Sequence, residues 1–237
     1  MLNLIYELRL YTVVPGRMED NHNRFKNHLP ALMARHGILN VGRWTATAGP
    51  NGPLFVYLMV YEDLSQRETQ WNSFYGDDEW WQIRAQTNAG AQMVERFDLF
   101  FLRSNPIWTP SESTARTRIG GVQELTFLDV ALGHNVEATK LIETVVLPLI
   151  KREGGQVMMV ADFVSGVAMP RIAMMTAWPD AARLHSARRA IDSDQSLRAA
   201  FQANRETIGR ASLGRTETFV LEPTAFDLPL AALGLTR

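Results

Sequence analysis

The chain has 237 residues, 46% of them hydrophobic and 21% charged, with a formal net charge of -1 at pH 7. This composition is typical of a globular protein, and the lack of a Lys/Arg stripe argues against nucleic acid or an anionic membrane as a partner. No cysteine is present, which excludes disulfides, thiolate catalysis and cysteine-bound zinc or iron–sulfur clusters. The chain starts without a signal-peptide pattern and has no apolar run long enough to cross a bilayer, so we expect a cytoplasmic protein.

Strand and helix patterns alternate along the first half of the chain. Apolar residues recur every three or four positions from Met18 to Leu32, which predicts a helix that Gly37 ends. The order β-α-β-β-α-β predicts a four-stranded antiparallel sheet with helices on one face. In chain order the predicted elements are a strand at 6–12, a helix at 18–35, strands at 38–49 and 54–61, helices at 64–74 and 78–89, and a strand at 93–102.

The second half of the chain repeats this plan. The stretch QELTFLDVALG matches YELRLYTVVPG, which places Glu124 opposite Glu7, and both first helices contain a Leu-Pro pair, Leu29-Pro30 and Leu147-Pro148. A proline inside a helix removes a hydrogen bond and kinks the helix. The same feature at the same place therefore indicates an internal repeat of roughly 118 residues.

Each predicted sheet needs a cover for the face that its helices leave open. Leu8 and Leu10 alternate with Tyr11, and the strand at 54–61 has no charged residue. The simplest solution packs the two sheets against each other as an internal pseudo-dimer. The predicted fold is α+β, with two ferredoxin-like (βαββαβ) repeats packed sheet to sheet. The predicted domains are a first repeat at 1–108, a polar linker at 109–118, and a second, degenerate repeat with a C-terminal tail at 119–237.

Three polar-headed residues share one face of the first strand. Glu7, Arg9 and Tyr11 are two positions apart, so they point to the same side of the sheet. In a ligand pocket, Arg9 would bind an anionic or carbonyl oxygen and Glu7 or Tyr11 would move a proton. In a structural role, Glu7 and Arg9 would be a pair that sets strand register, with Tyr11 as a packing residue. Only Glu7 has an identical counterpart in the second half, Glu124.

Two histidines of the first helix are further candidates. His22 falls on the apolar stripe of that helix, and His28 lies just off it beside Pro30. Either ring could be a general base or a haem ligand, or a histidine at the edge of the core with locally satisfied nitrogens. The spacing of histidines and carboxylates resembles no metal-ligand motif such as HExxH, so we predict no metal site.

Aromatic residues are concentrated in the first half of the chain. Most of them fit a hydrophobic core, although such density also suits a pocket for a flat apolar ligand. Trp80 and Trp81 are adjacent on a helix, so they cannot both face inward. The candidate ligand-binding residues are Trp44, Tyr57, Tyr61, His28 and Trp80.

A set of residues in the first half carries a family resemblance: Tyr6, Glu7, Arg9, Tyr11, Pro15, Gly16, Gly42, Trp44, Gly49, Tyr61, Glu62, Asp63, Arg67, Asp77 and Trp80. In these residues the first half resembles the NIPSNAP family, within the dimeric α+β barrel superfamily. The resemblance covers residues 1–108, and the second half keeps the plan but loses much of the signature. It implies a dimeric α+β barrel formed within one chain and a cavity between the sheet and the helices of the first repeat. Enzymes of that superfamily include cofactor-free monooxygenases, isomerases, cyclases and haem enzymes.

Two functions are consistent with these patterns. The first is a cofactor-independent isomerase, lyase or oxygenase for a hydrophobic or aromatic small molecule, with Glu7, Arg9, Tyr11 and His22 as catalytic candidates. The second is a non-catalytic protein that binds a small ligand or haem in the same cavity. On either interpretation, replacing Arg9 or Tyr11 should impair ligand binding and leave thermal stability nearly unchanged. Whole chains could also pair as a homodimer, because one of the two adjacent tryptophans is left for an interface.

Overall fold

The computed structural model describes residues 4–108 and 121–224, and the linker predicted at 109–118 lies outside them. The strands are β1 (Ile5–Val13), β2 (Leu39–Ala48), β3 (Leu54–Tyr61), β4 (Val94–Ser104), β5 (Val122–Val130), β6 (Gln156–Phe163), β7 (Arg171–Trp178) and β8 (Leu213–Pro223). The helices are α1 (Met18–Asn27), α2 (Leu29–Arg35), α3 (Leu64–Tyr75), α4 (Asp78–Asn88), α5 (Asn135–Leu141), α6 (Leu147–Arg152), α7 (Ala181–Ser193) and α8 (Gln195–Ile208).

The helix predicted over 18–35 is two helices that meet at His28. Pro30 lies in the first turn of α2, where its missing N–H costs least, whereas inside a regular α-helix it would remove a hydrogen bond and clash with the preceding turn. The second half solves the same problem differently. A π-helical turn, Ile142–Val146, joins α5 to α6 just before Pro148. A π turn holds one residue more than an α turn, so this half carries an extra residue before its Leu-Pro pair.

The strands close into an antiparallel barrel in the order β1-β3-β2-β8-β5-β7-β6-β4. Each half contributes four neighbouring strands, with its own first strand between its third and fourth. The halves join along two seams. At one seam β2 pairs with β8, as in Thr45 opposite Glu222, and at the other β4 pairs with β6, as in Arg103 opposite Asp162. Both halves therefore complete their edge hydrogen bonds with each other.

Strand alternation divides the apolar residues of each half between two layers. Tyr6, Leu8 and Leu10 of β1 belong to a buried cluster that fills the barrel interior and draws on both halves. Residues of the opposite strand faces pack under the helices in two separate clusters, one for each half. In the first half, this helix layer is where the other side of β1 points, the side that carries Arg9 and Tyr11. Within the described ranges, no helix is both long and apolar enough to span a membrane.

Candidate functional site

A chain of polar contacts runs along β1 beneath the helices of the first half. Arg9 donates from Nε to Glu7 Oε1 over 2.5 Å, and from Nη1 to the Tyr57 hydroxyl over 3.3 Å. Tyr57 in turn donates to the Tyr11 hydroxyl over 2.6 Å. Tyr57 is directly opposite Arg9 in the pairing of β1 with β3, which is why the two side chains meet. Glu7, Arg9 and Tyr11 thus act as one network, as their spacing predicts.

Arg9 and Glu7 form the buried base of this network. Arg9 is 1% exposed and its guanidinium lies 3.9 Å from the ring centroid of Trp71, while Glu7 is 0% exposed and also accepts a 2.8 Å bond from Arg67. Burial by itself lowers the pKa of Arg9, but Tyr57, Tyr11 and Glu7 together raise it above its ordinary value. Arg9 therefore stays charged and bonds to the tyrosines. Because it is also buried and paired with Glu7, we now predict that its replacement costs stability, in place of the sequence-based expectation of little change.

The two tyrosine hydroxyls differ in what their protons can do. Burial raises the pKa of Tyr57 well above its ordinary value, against the opposing effect of Arg9, so Tyr57 remains a donor at neutral pH. Its proton is directed at the Tyr11 oxygen, which leaves the proton of Tyr11 for another acceptor. Tyr11 is half-buried and packs against Phe97, a side chain that is 48% exposed. The network therefore ends in a hydroxyl donor near the surface.

A second group of polar residues, between α1 and α4, escaped the sequence predictions. Arg24 is 5% exposed, and it donates to Thr87 Oγ1 and Asn88 Oδ1 over 2.7 Å each. Burial, together with the nearby Arg84, lowers the pKa of Arg24 to about 10, and Tyr11 partly opposes this. Among the described residues no carboxylate pairs with Arg24. It is a buried cation that remains charged at neutral pH.

Two further buried groups on these helices have no hydrogen-bond partner in the described structure. Asn21 is 0% exposed and both atoms of its amide are unpaired, and the indole N–H of Trp80 is unpaired as well. The guanidinium of Arg24 lies 5.8 Å from the Trp80 ring. Buried polar groups of native proteins are nearly always bonded to protein or to ordered water, so we expect water or a ligand to bond these groups. The sequence held a signal: Asn21 is three residues after Met18 and four before Phe25, on the apolar stripe.

The NIPSNAP family profile matches residues 6–107, the part of the chain that contains β1, both tyrosines and α1 to α4. Residues 6–107 are a NIPSNAP domain. The family signature and the polar network therefore coincide in one half, and both contain Arg9 and Tyr11. No curated protein matches the chain.

Several solved structures are similar in fold to this chain over nearly its whole length. An "anthrone oxidase-like protein" has a TM-score of 0.60 at 10% identity, covering 94% of this chain and 92% of its own. A "putative monooxygenase" from Lactobacillus acidophilus NCFM has a TM-score of 0.56 at 10% identity, covering 93% of this chain and 94% of its own. An uncharacterised NIPSNAP-like domain protein from Burkholderia xenovorans is 19% identical, with a TM-score of 0.41, over 46% of this chain and 92% of its own.

The other predicted site residues of the NIPSNAP domain are scattered around the network. Trp44 is the clearest correction, because it faces the barrel interior and donates to Gln123 Oε1 over 2.7 Å, on the opposite side of the sheet from Arg9. Tyr61 is buried, and its hydroxyl accepts a 2.9 Å bond from the Trp71 indole. His28 is half-buried at the break between α1 and α2.

His22 and Trp80 lie closer to the candidate site. The Nε2 atom of His22 is 2.8 Å from Thr45 Oγ1, and its ring lies 5.8 Å from that of Phe55, which is opposite Tyr11 in the strand pairing. Burial lowers the pKa of His22, although Glu19 partly opposes this. Trp80 packs on Phe74 while Trp81 is 48% exposed, as two adjacent helical tryptophans require. In the described parts of the chain, no three His, Asp or Glu side chains are grouped as metal ligands.

Proposed function

We propose that this protein is a cofactor-independent enzyme for an oxygen-bearing aromatic small molecule, with its site in the helix layer of the NIPSNAP domain. The proposal includes the architecture, a tandem pair of ferredoxin-like halves forming a dimeric α+β barrel in one chain. The strand order supports this architecture, because each half has its first strand between its third and fourth. The single observation that carries the function is the direction of the hydrogen bonds that end at Tyr11.

Tyr11 is the proposed proton donor to a substrate oxygen. Its oxygen already accepts the Tyr57 proton at 2.6 Å, so its own O–H is oriented away from the network. Arg9 lies behind both hydroxyls and stabilises negative charge that develops on them or on the substrate oxygen bonded to them. The same arrangement would hold an enolate or phenolate oxygen.

Arg24 and Asn21 are the proposed partners of a negatively charged part of that substrate. An uncompensated buried arginine favours an anionic ligand, because the ligand restores the electrostatic balance lost on desolvation. The amide of Asn21 can both donate and accept, so it suits a phenol, a carbonyl or a carboxylate. The aromatic side chains of Phe25 and Phe97, which contact Tyr11, would pack against the ring of the ligand.

The proposed reaction is an oxygenation by O2 without a cofactor. Stabilising an enolate lowers the cost of removing a proton from a neighbouring carbon, and an electron-rich carbanion of this type reacts with O2. For an anthrone-type methylene the balance is Ar2CH2 + O2 → Ar2C=O + H2O. His22 is the proposed proton acceptor, since its lowered pKa keeps it neutral at physiological pH. The oxidase and oxygenase names of the whole-chain structural neighbours suggest this choice, at 10% identity.

A non-catalytic ligand-binding protein is the second candidate. One observation favours it: the buried polar groups of Glu7, Arg9 and Tyr57 are already bonded within the protein, as expected of a rigid binding wall. Proton transfer by Tyr11 separates the two functions, because a binding protein needs the contact but no turnover.

The test measures O2 consumption and ligand binding with anthrone and 1,4-naphthohydroquinone as probes. We expect turnover by the intact protein and a loss of roughly 100-fold in kcat for Tyr11→Phe, with KM little changed. Arg24→Gln should instead raise KM for an anthrone that carries a carboxylate and leave KM for anthrone itself little changed, because only the carboxylated probe offers Arg24 a negative charge. The matched control is Leu128→Met at the position that corresponds to Tyr11 in the second half, and it should change neither constant. Saturable binding without turnover would establish the binding protein, and an active Tyr11→Phe variant would refute the role of Tyr11.

A further inference from the structure

A cavity of about 460 Å³ opens at one mouth of the barrel, on the opposite face of the sheet from Tyr11. It lies where the β2–β3 and β6–β7 loops approach each other. Its floor is made of side chains from both halves that are at most 8% exposed: Leu10, Leu54, Phe100, Phe127 and Phe219. The volume is within the range of sites for small molecules and is larger than packing defects in a core.

The floor of this cavity is aromatic. The ring of Phe127 meets those of Phe100 and Phe219 edge to face, with centroids 5.5 and 5.4 Å apart. Rings in this arrangement leave faces and edges exposed that a further aromatic ring can contact favourably. The rim adds an exposed apolar side chain, since Val167 is 74% exposed. The surface therefore suits a planar apolar molecule.

Arg171 projects into the cavity from the second half. It is 4% exposed, and it donates from Nε to Asp129 Oδ1 over 2.7 Å and from Nη2 to Glu217 Oε2 over 3.0 Å. Its corresponding residue in the first half is Leu54, so only one wall of the mouth carries a buried cation. Among the described residues its Nη1 makes no hydrogen bond. Arg171 thus presents one N–H donor over an aromatic floor, 5.4 Å above the Phe127 ring.

The opposite wall presents an acceptor. Asp98 is exposed, lines the cavity, and makes no hydrogen bond or ion pair within the described residues. Glu217, its counterpart in the second half, is already bonded to Arg171. The charged residues that line the cavity are two acids, Asp98 and Glu217, and two arginines, Arg171 and Arg215, so their charges cancel. The lining therefore has no net charge that would favour an ion of either sign.

We infer that this mouth of the barrel is a second small-molecule site, which binds an uncharged hydroxyaromatic compound. The ring lies on the phenylalanine floor, its hydroxyl donates to the Asp98 carboxylate, and a second oxygen or the ring face accepts from Arg171. The inference stands apart from the proposed enzyme site, because it uses the interior face of the sheet and residues of both halves. A molecule here would contact both repeats along the axis of the barrel.

The test uses 1-naphthol at neutral pH, with 1-naphthoate and 1-naphthylmethylammonium as charged probes of similar shape. Methyl NMR of the full chain locates the binding. Leu54 and Val167 report on the mouth, while Leu29 and Val13 report on the helix layer of the first half. We expect saturable shifts of the mouth methyls with 1-naphthol, and binding of the two ions weaker by about tenfold.

Two variants test the walls. Leu10→Phe installs the residue that the second half has at this position, Phe127, and fills part of the cavity. It should weaken 1-naphthol binding by about tenfold. Asp98→Asn keeps the shape but removes the charge, so it should weaken 1-naphthol and strengthen 1-naphthoate. Leu58→Met is the control, because Leu58 packs inside the barrel and does not line the cavity.

Three results would overturn the inference. In the first, the methyl signals of the mouth show no saturable shift up to the solubility limit of 1-naphthol. In the second, only the methyl signals of the helix layer shift. In the third, either ion binds more tightly than 1-naphthol. An unchanged affinity in both Leu10→Phe and Asp98→Asn would also overturn it. Loss of turnover in Tyr11→Phe bears only on the enzyme proposal, and the mouth methyls should respond to 1-naphthol in that variant as before.

Discussion

The two halves have a glutamate at the same point of their first strands but neutralise it differently. Glu7 is held by Arg9 from its own strand and by Arg67 from α3. Glu124 is held by Arg188 of α7, at 2.7 Å. In the alignment of the halves Arg188 corresponds to Trp71, the residue on which Arg9 stacks.

The remaining partners of the first network are replaced by weakly polar or apolar residues. The counterparts of Arg9, Tyr11 and Tyr57 are Thr126, Leu128 and Met174, of which Leu128 and Met174 join the hydrophobic cluster under the helices. A glutamate paired with an arginine from the helix layer is therefore enough to build this fold. The strand arginine and the two tyrosines go beyond that structural need, which favours a functional role for the first half.

Separating the halves should have the largest effect. Residues 1–108 alone would expose the interior face of their sheet, with Leu8 and Leu10, and the unpaired edges of β2 and β4. Apolar patches and free edges of this size are rarely tolerated by monomers. We expect the fragment to self-dimerise or aggregate, as measured by light scattering beside the full chain. A stable monomeric fragment would contradict an interior shared by both halves.

Removing the strand arginine should have the next largest effect. Arg9→Ala leaves Glu7 fully buried with one partner fewer, so we expect a loss of about 3–5 kcal/mol in the free energy of unfolding. The matched change in the second half, Thr126→Ala, should cost about 1 kcal/mol or less, because it removes only a long 3.4 Å contact with Thr218. Urea unfolding measures both. Equal losses would show that the two networks do not differ as described.

Removing the helix arginine of the second half should have a smaller effect. The side chain of Arg188 is 39% exposed and that of Glu124 is 14% exposed, so water screens their pair. We expect Arg188→Ala to cost about 1 kcal/mol. If urea unfolding shows a loss as large as that of Arg9→Ala, the second network is as tightly coupled as the first.

The smallest effect concerns pH. Burial lowers the pKa of His22 below its ordinary 6.5, so below that pH the unfolded chain binds more protons than the folded protein. The contribution of His22 to stability is therefore complete above pH 6.5 and falls as the pH drops toward its lowered pKa. His22→Gln should flatten the decline in unfolding free energy as the pH falls below 6.5. The control His185→Gln, at an exposed position of α7, should leave the decline as it is.

Local patterns were sufficient for most of the secondary structure. The order of strands and helices, the repeat, and the common face of Glu7, Arg9 and Tyr11 all follow from periodicities that are set by neighbours in sequence. The Leu-Pro pairs marked where the first helix of each half changes course, although one becomes a break and the other follows a π turn. The difference arises from one extra residue before the Leu-Pro pair of the second half. Helix propensities alone do not predict how the chain accommodates that residue.

The sequence by itself determined the elements, the repeat and the polar face of β1, because each depends on residues a few positions apart. Only the tertiary structure decided what those faces meet. Barrel closure places Trp44 against Gln123, which is far away in sequence and belongs to the other half. The packing of α1 on α4 isolates Arg24 from every described carboxylate, and strand pairing brings Tyr57 to Arg9. Burial and pairing depend on residues that are far apart in sequence. Periodicity can therefore predict the face on which a side chain lies, but not the residue that it contacts.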